Sequence, residues 1–179
     1  RAHKERIQAQ QLARTDMLTR LYNRRAFNEV CSPIWHNAIR HKQELCIILL
    51  DIDEFKLIND NHGHAAGDKV LKQVAAVLSD TIRDGDVLAR WGGEEFAIML
   101  PLTVLEDAVI IAERIRKTVS NTQVMYGISR IKTTISCGVA QIDAKTRSID
   151  ELFTVADAGL YQAKQTGRNK VCAAWSEPG

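Results

Sequence analysis

The sequence predicts a single α+β domain, a β-sheet with helices on its faces, and three observations carry that prediction. Residues 45–53, Leu-Cys-Ile-Ile-Leu-Leu-Asp-Ile-Asp, form a nearly continuous apolar run that suits a central strand buried on both faces. Around Gly92-Gly93, Val87, Ala89 and Trp91 alternate with Leu88 and Arg90, and Phe96, Ile98 and Leu100 alternate with Glu95, Ala97 and Met99. That pattern is a β-hairpin, and the two glycines suit a tight two-residue type I′ or II′ turn. Stretches 68–82 and 103–120 carry apolar residues at helical spacing, Val70, Leu71, Val74, Val77, Leu78 and Ile82 in the first, Leu105, Ala108, Val109, Ala112, Ile115 and Val119 in the second. A length of 179 residues fits one domain with one core.

Composition narrows the function classes. Hydrophobic residues at 45% and charged residues at 26% are ordinary for a soluble globular chain. A formal net charge of +2 is too mild and too evenly spread for a nucleic-acid binder. No apolar run reaches the roughly 20 residues of a membrane span, and no signal peptide is recognisable, so no membrane contact is expected from this stretch. The first residue is Arg, so the chain reads as a fragment, with room upstream for a sensory domain or a membrane anchor. Cys31, Cys46, Cys137 and Cys172 form no C-x-x-C pair; they read as free thiols in a reducing, cytoplasmic compartment.

In chain order, 1–14 is polar and rich in helix formers, a linker or the end of a helical stalk. In 15–25, Thr15 and Thr19 can cap turns and Asn23 can cap a helix over 24–41 with Phe27, Val30, Cys31 and Ile34 on one side. The central strand ends in Asp51 and Asp53. They can cap the next helix or turn, or they can serve Mg²⁺, which takes one or two carboxylates, substrate phosphates and water. Stretch 54–68 is dense in Asn, Asp and Gly and reads as a structured loop, its His62 and His64 as turn residues. Within it, the Asn59 amide and the Asp68 carboxylate would match the acceptor and donors of a guanine edge. Arg83-Asp84-Gly85-Asp86 is a charged turn with a local ion pair.

In the hairpin, Glu94 shares a face with Phe96, Ile98 and Leu100. A carboxylate at a core edge needs a cation, a donor or a proton. Stretch 131–142 reads as one strand with a kink or close approach at Gly138, preceded by an extra strand near 124–128. Ser148 caps a helix that runs to Lys164 and stops at Gly167; 169–175 is a last strand and 176–179 a tail.

Gly92-Gly93-Glu94-Glu95-Phe96 resembles the signature of GGDEF-domain diguanylate cyclases, in the variant with Glu third. The resemblance runs from Thr15 to Trp175, and six separated matches in order make it specific. It implies the palm-like fold shared with class III nucleotide cyclases, a central, mainly antiparallel sheet with helices on its faces. It implies condensation of two GTP into cyclic di-GMP with release of pyrophosphate, by a homodimer of facing domains. On the matching positions it implies Asp51, Glu94 and the Ile52 carbonyl as ligands of Mg²⁺ (or Mn²⁺), and Glu95 as a metal, outer-sphere or proton-accepting group. Gly92 and Gly93 make room for phosphate, and Asn59, Asp68, Phe55 and Leu71 form the base pocket. Lys164 and Arg168 bind the terminal phosphates, and Arg83, Asp86 and Arg114 form an R-x-x-D site for inhibition by product. Lys164 and Arg168 also fit a helix C-terminus, and Leu71 also fits the core stripe. A non-catalytic cyclic di-GMP or GTP receptor, and a cyclase with looser base choice, are the alternatives.

Overall fold

We describe a computed structural model over residues 1–173, leaving aside the side chains of 10–12. At its centre is β1 (Leu45–Ile52), every residue of which is buried. β3 (Glu95–Pro101) and β6 (Ile135–Gln141) flank it, both antiparallel to it. β2 (Val87–Arg90) lies outside β3, and β7 (Val171–Ala173) lies outside β6 and parallel to it. The sheet order is β2-β3-β1-β6-β7, mainly antiparallel as the resemblance implied.

Strand alternation divides the core into two layers. Cys46, Ile48, Leu50 and Ile52 join Phe96, Ile98 and Leu100 on one face, under α4 (His64–Thr81) and α5 (Leu105–Asn121). Ile47 and Leu49 join Ala97 and Met99 on the other, under α2 (Arg24–His41) and α6 (Ile149–Gln165). Each fully buried Leu, Ile or Phe contributes about 1.5–3 kcal/mol relative to exposure. This two-sided burial is why β1 shows no polar alternation. Asn23 caps α2 by accepting from the Ala26 amide (2.9 Å), and Ser148 caps α6 by accepting from Glu151 (3.2 Å). α1 spans Ala2–Leu12. All four cysteines are free, and burial pushes the Cys31 and Cys46 thiols up to about 12.

Three local expectations change. Stretch 54–68 is not a loop: Phe55–His62 forms α3, and α4 begins at His64, four residues before Asp68. Ile58 is buried and Phe55 packs against the core, and this anchoring outweighs the turn propensity of the Asn and Asp residues. The break is confined to Gly63, whose φ of +86° suits glycine. Stretch 131–142 is not one strand either. β4 (Gln123–Tyr126) and β5 (Ser129–Lys132) make a separate hairpin about Gly127, and β6 begins after Thr133-Thr134.

The signature turn is wider than two residues. Arg90 pairs with Phe96, and the Trp91 amide donates to the Glu95 carbonyl at 2.7 Å, which leaves Gly92-Gly93-Glu94 as the loop. Neither glycine has positive φ, so the turn is neither type I′ nor II′. Glu94 therefore sits in the loop and not in a strand. The last strand covers Val171–Ala173; Ala174, Trp175 and the tail at 176–179 lie outside the described residues.

Candidate functional site

The carboxyl end of β1 meets the signature turn. Register sets Asp51 opposite Glu95 on one side and Ser136 on the other, and the Ile52 amide donates to the Glu94 carbonyl at 3.1 Å. Three acids are thereby gathered: Asp51 is buried, Glu94 and Glu95 half-buried. Burial pushes the Asp51 carboxyl up to about 6; Lys164 pulls against that shift, and the charges of Glu94 and Glu95 add to it. Lys164, in the last turn of α6, donates to Asp51 Oδ2 at 2.5 Å. An ammonium thus stands against the carboxylate whose proton affinity the charges of Glu94 and Glu95 raise.

Beyond α6 the chain turns sharply. Arg168 and Asn169 both take left-handed backbone angles, φ +61° and +46°. Asp53 holds that turn, a role its sequence context did not assign to it. Its Oδ2 accepts from the Asn169 amide (3.0 Å) and the Thr134 hydroxyl (2.7 Å), and its Oδ1 accepts from Ser136 (2.6 Å). Its place two residues after Asp51 was the available signal, since Ser136 and Thr134 reach it only through sheet register. Arg168 is exposed, its Nη1 3.9 Å from Glu54.

A second unforeseen residue is Arg90. Its Nε and Nη2 donate to the Gly93 carbonyl (3.0 and 2.7 Å), and its Nη1 donates to Asp16 Oδ1 and Oδ2 (3.1 and 3.3 Å). The 13–23 segment reaches the hairpin at this point, where the Arg90 amide also donates to the Tyr22 carbonyl (3.0 Å). Burial pushes the Asp16 carboxyl up, but the Thr19 hydroxyl and amide and the Arg90 guanidinium outweigh it and hold it below its ordinary value. Trp91 anchors the same turn: it stacks on Phe153 at 4.7 Å, and the Arg24 guanidinium lies 4.3 Å over its ring.

The proposed base-reading residues lie on adjacent helices. Asn59 is half-buried on α3 and Asp68 exposed on α4. Phe55 is half-buried at the start of α3, and Leu71 is 2% exposed within the core layer. The Asn59 Oδ1 is buried without a hydrogen-bond partner. Farther along the sheet, Asp86 closes its turn by accepting from the Arg83 amide (2.9 Å) and pairing with Arg83 Nη2 (3.4 Å). That guanidinium also donates to Thr103 Oγ1 (2.9 Å). A cleft of about 350 Å³ lined by Thr15, Tyr22, Ile82, Arg83 and Asp86 borders the pair. Arg114 is exposed midway along α5, and among the described residues the hydrogen bonds and ion pair of the Arg83 and Asp86 side chains do not include it.

Among the described residues, no three His, Cys, Asp or Glu side chains stand close enough to hold a metal ion unaided. Two carboxylates and a backbone carbonyl suit a hard cation that completes its sphere with phosphate oxygens and water. The donor set, oxygen only and anionic, fits Mg²⁺ in that way.

A family model described as "Diguanylate cyclase, GGDEF domain" matches residues 13–170. This chain belongs to the GGDEF family. The diguanylate cyclase DgcM of Escherichia coli K12 is 42% identical over 167 residues, 93% of this chain and 40% of that protein. Diguanylate cyclase A of Treponema denticola is 46% identical over 130 residues, 73% of this chain and 35% of that protein. The chain therefore spans less than half the length of these relatives. Among solved structures, the coiled coil and GGDEF domain of DgcB from Caulobacter crescentus, in complex with c-di-GMP, superposes with a TM-score of 0.91 at 33% identity. That match covers 97% of this chain and 92% of DgcB's. Membership of the GGDEF family accords with the mixed sheet and the position of the signature turn. No helix among the described residues is long and apolar enough to cross a membrane.

Proposed function

We propose that this chain is the catalytic domain of a diguanylate cyclase, acting in the cytoplasm on GTP. The observation that carries the reading is the convergence of Asp51, Glu94 and Glu95 at the end of β1, with the Lys164 ammonium against Asp51. Three carboxylates together are self-repelling unless a cation balances them, and in this structure Lys164 does so in part. Residues 15–175 form the catalytic unit and 1–14 the end of a signalling helix, receiving its input from a domain upstream.

One domain holds one GTP, and two domains of a homodimer face each other. Each 3′-hydroxyl oxygen bonds to the α-phosphorus of the opposite GTP, the bond from that phosphorus to the bridging oxygen of the β-phosphate breaks, and pyrophosphate leaves with the electron pair. Two such transfers close cyclic di-GMP. The protein contributes position and charge. Asp51, Glu94 and the Ile52 carbonyl would hold Mg²⁺, which supplies charge neutralisation at the phosphates when bound. Glu95, the next residue after Glu94, would accept the hydroxyl proton, or serve the metal directly or through an outer-sphere water. Gly92 and Gly93 let phosphate approach the turn. Lys164 and Arg168 hold the terminal phosphates, Lys164 leaving Asp51 to do so. Asn59 and Asp68 read guanine, with Phe55 and Leu71 beside the base. Arg83 and Asp86, joined by Arg114, bind product and slow the enzyme.

The test is incubation with GTP and Mg²⁺ over a range of protein concentrations, with chromatography of products and Arg83→Ala in parallel. The expected result is cyclic di-GMP that rises faster than linearly with protein, and a higher plateau for Arg83→Ala. Tight cyclic di-GMP binding with no product from either version would replace this reading with that of a receptor.

A further inference from the structure

Gly67 has no role in the proposed chemistry, yet it occupies the most confined position beside the base-reading residues. It lies in the first turns of α4, buried, with an ordinary negative φ. A Cβ added there would stand 1.9 Å from Asn59 Oδ1, 3.0 Å from Asn59 Cγ and 3.1 Å from Phe55 Cζ. The Asn59 amide therefore lies where a side chain at 67 would be. Its Oδ1 is sealed there without a hydrogen-bond donor, against the Cα of Gly67. A weak Cα–H···O contact is all that this surface offers an oxygen. The opposite orientation would seal two N–H donors with no acceptor, which is worse. The Nδ2 group is neither sealed nor hydrogen-bonded among the described residues, so its N–H bonds are available to a ligand.

We infer that Gly67 is a specificity-positioning residue: its missing side chain is the slot that turns Asn59 oxygen-inward, so that Asn59 presents N–H donors to an acceptor on the base. Asp68, the next residue, presents the complementary carboxylate acceptor. The two together select a purine edge that carries both an acceptor and donors, which guanine has and the adenine Watson–Crick edge offers with its donor and acceptor differently placed. A carboxylate facing the unprotonated N1 of adenine meets a lone pair instead of a hydrogen. A buried oxygen with no partner is a cost the fold tolerates at this point, and it fixes the amide without competing for the group that faces the ligand.

This inference rests on Asn59 and Asp68 reading a guanine base, and the experiment separates the two. Gly67→Ala is the direct variant. Alanine is the better helix former, so α4 itself is not weakened. Binding of GTP, ATP and inorganic tripolyphosphate, each with Mg²⁺, is measured by calorimetry for the unmodified chain, Gly67→Ala, Asn59→Ala and the double variant. Gly67→Ala is expected to weaken GTP about tenfold, to narrow the preference for GTP over ATP, and to leave tripolyphosphate within about twofold, at about 1.4 kcal/mol per tenfold. The double variant is expected to bind GTP within about twofold of Asn59→Ala alone, because the methyl group then has no amide to displace and only the Phe55 ring, 3.1 Å away, has to give by a few tenths of an ångström. Additive losses, or equal weakening of tripolyphosphate and GTP, would overturn the role of Gly67 while leaving the base pocket intact. An unmodified chain that binds GTP no better than tripolyphosphate would overturn the base-pocket reading, and this inference with it.

Discussion

At the residue scale, Asp51 bears a charge that its surroundings disfavour. Its carboxyl, ordinarily at 3.8, is pushed up to about 6, chiefly by burial. A carboxyl that binds its proton more tightly when folded costs stability above its folded pKa, and the cost vanishes below its unfolded pKa. Between about pH 4 and 6, acidification therefore favours the folded form at this residue. Asp51→Asn removes the cost, on the order of 3 kcal/mol at pH 7.5 at about 1.4 kcal/mol per pKa unit. In metal-free buffer, thermal melts are expected to show this variant more stable than the unmodified chain at pH 7.5 and level with it near pH 4, while cyclase activity is lost. Equal melting at both pH values would show that the raised pKa has no energetic consequence. Glu94→Ala and Glu95→Ala are expected to abolish cyclic di-GMP synthesis, and retained product would displace the site from this turn.

At the element scale, two junctions set the site. α6 carries Lys164, and its height over the sheet depends on Gly138 in β6. A Cβ at 138 would lie 1.9 Å from the Ala156 carbonyl oxygen and 2.3 Å from the Leu160 amide nitrogen, both backbone atoms that cannot rotate away. Gly138→Ala is expected to lift α6, costing about 2–3 kcal/mol as overpacking does, read as a lower urea midpoint at unchanged slope. The other junction is Asp16 with Arg90, both under a quarter exposed, which ties the 13–23 segment to the Gly93 carbonyl. A double-mutant cycle of Asp16→Ala and Arg90→Ala is expected to give a coupling of about 1 kcal/mol. Loss of synthesis in either variant, with the fold kept by circular dichroism, would identify this contact as what holds the signature turn in shape. Full activity in both would reduce it to a surface tie.

At the scale of the whole molecule, the proposed site draws on distant parts of the chain: β1, the β2–β3 turn and the end of α6. A ligand that spans them should stabilise the domain as a unit. GTP with Mg²⁺ at a hundred times its dissociation constant is expected to add about 2.7 kcal/mol, seen as a rise in melting temperature that chelation of the metal reverses. A rise that persists under chelation would mean that Lys164 and Arg168 alone hold the phosphates.

The central strand, the hairpin, the amphipathic helices and the caps of α2 and α6 were legible in the sequence, because burial and capping leave local signals: a continuous apolar run, period 2, period 3.6, Asn23 and Ser148. The family was legible for a similar reason, since its signature lies in contiguous stretches. Turn propensity misread 54–68, where the anchoring of Phe55 and Ile58 to the core decided for helix. Only the tertiary structure decided the partners across the fold. Asp53 meets Ser136 and Asn169, Arg90 meets Asp16, Lys164 meets Asp51, and Gly67 leaves room for Asn59. Most of these pairs lie far apart in the chain, and a hydrogen bond or a close approach between distant residues depends on register and packing, which no local pattern encodes.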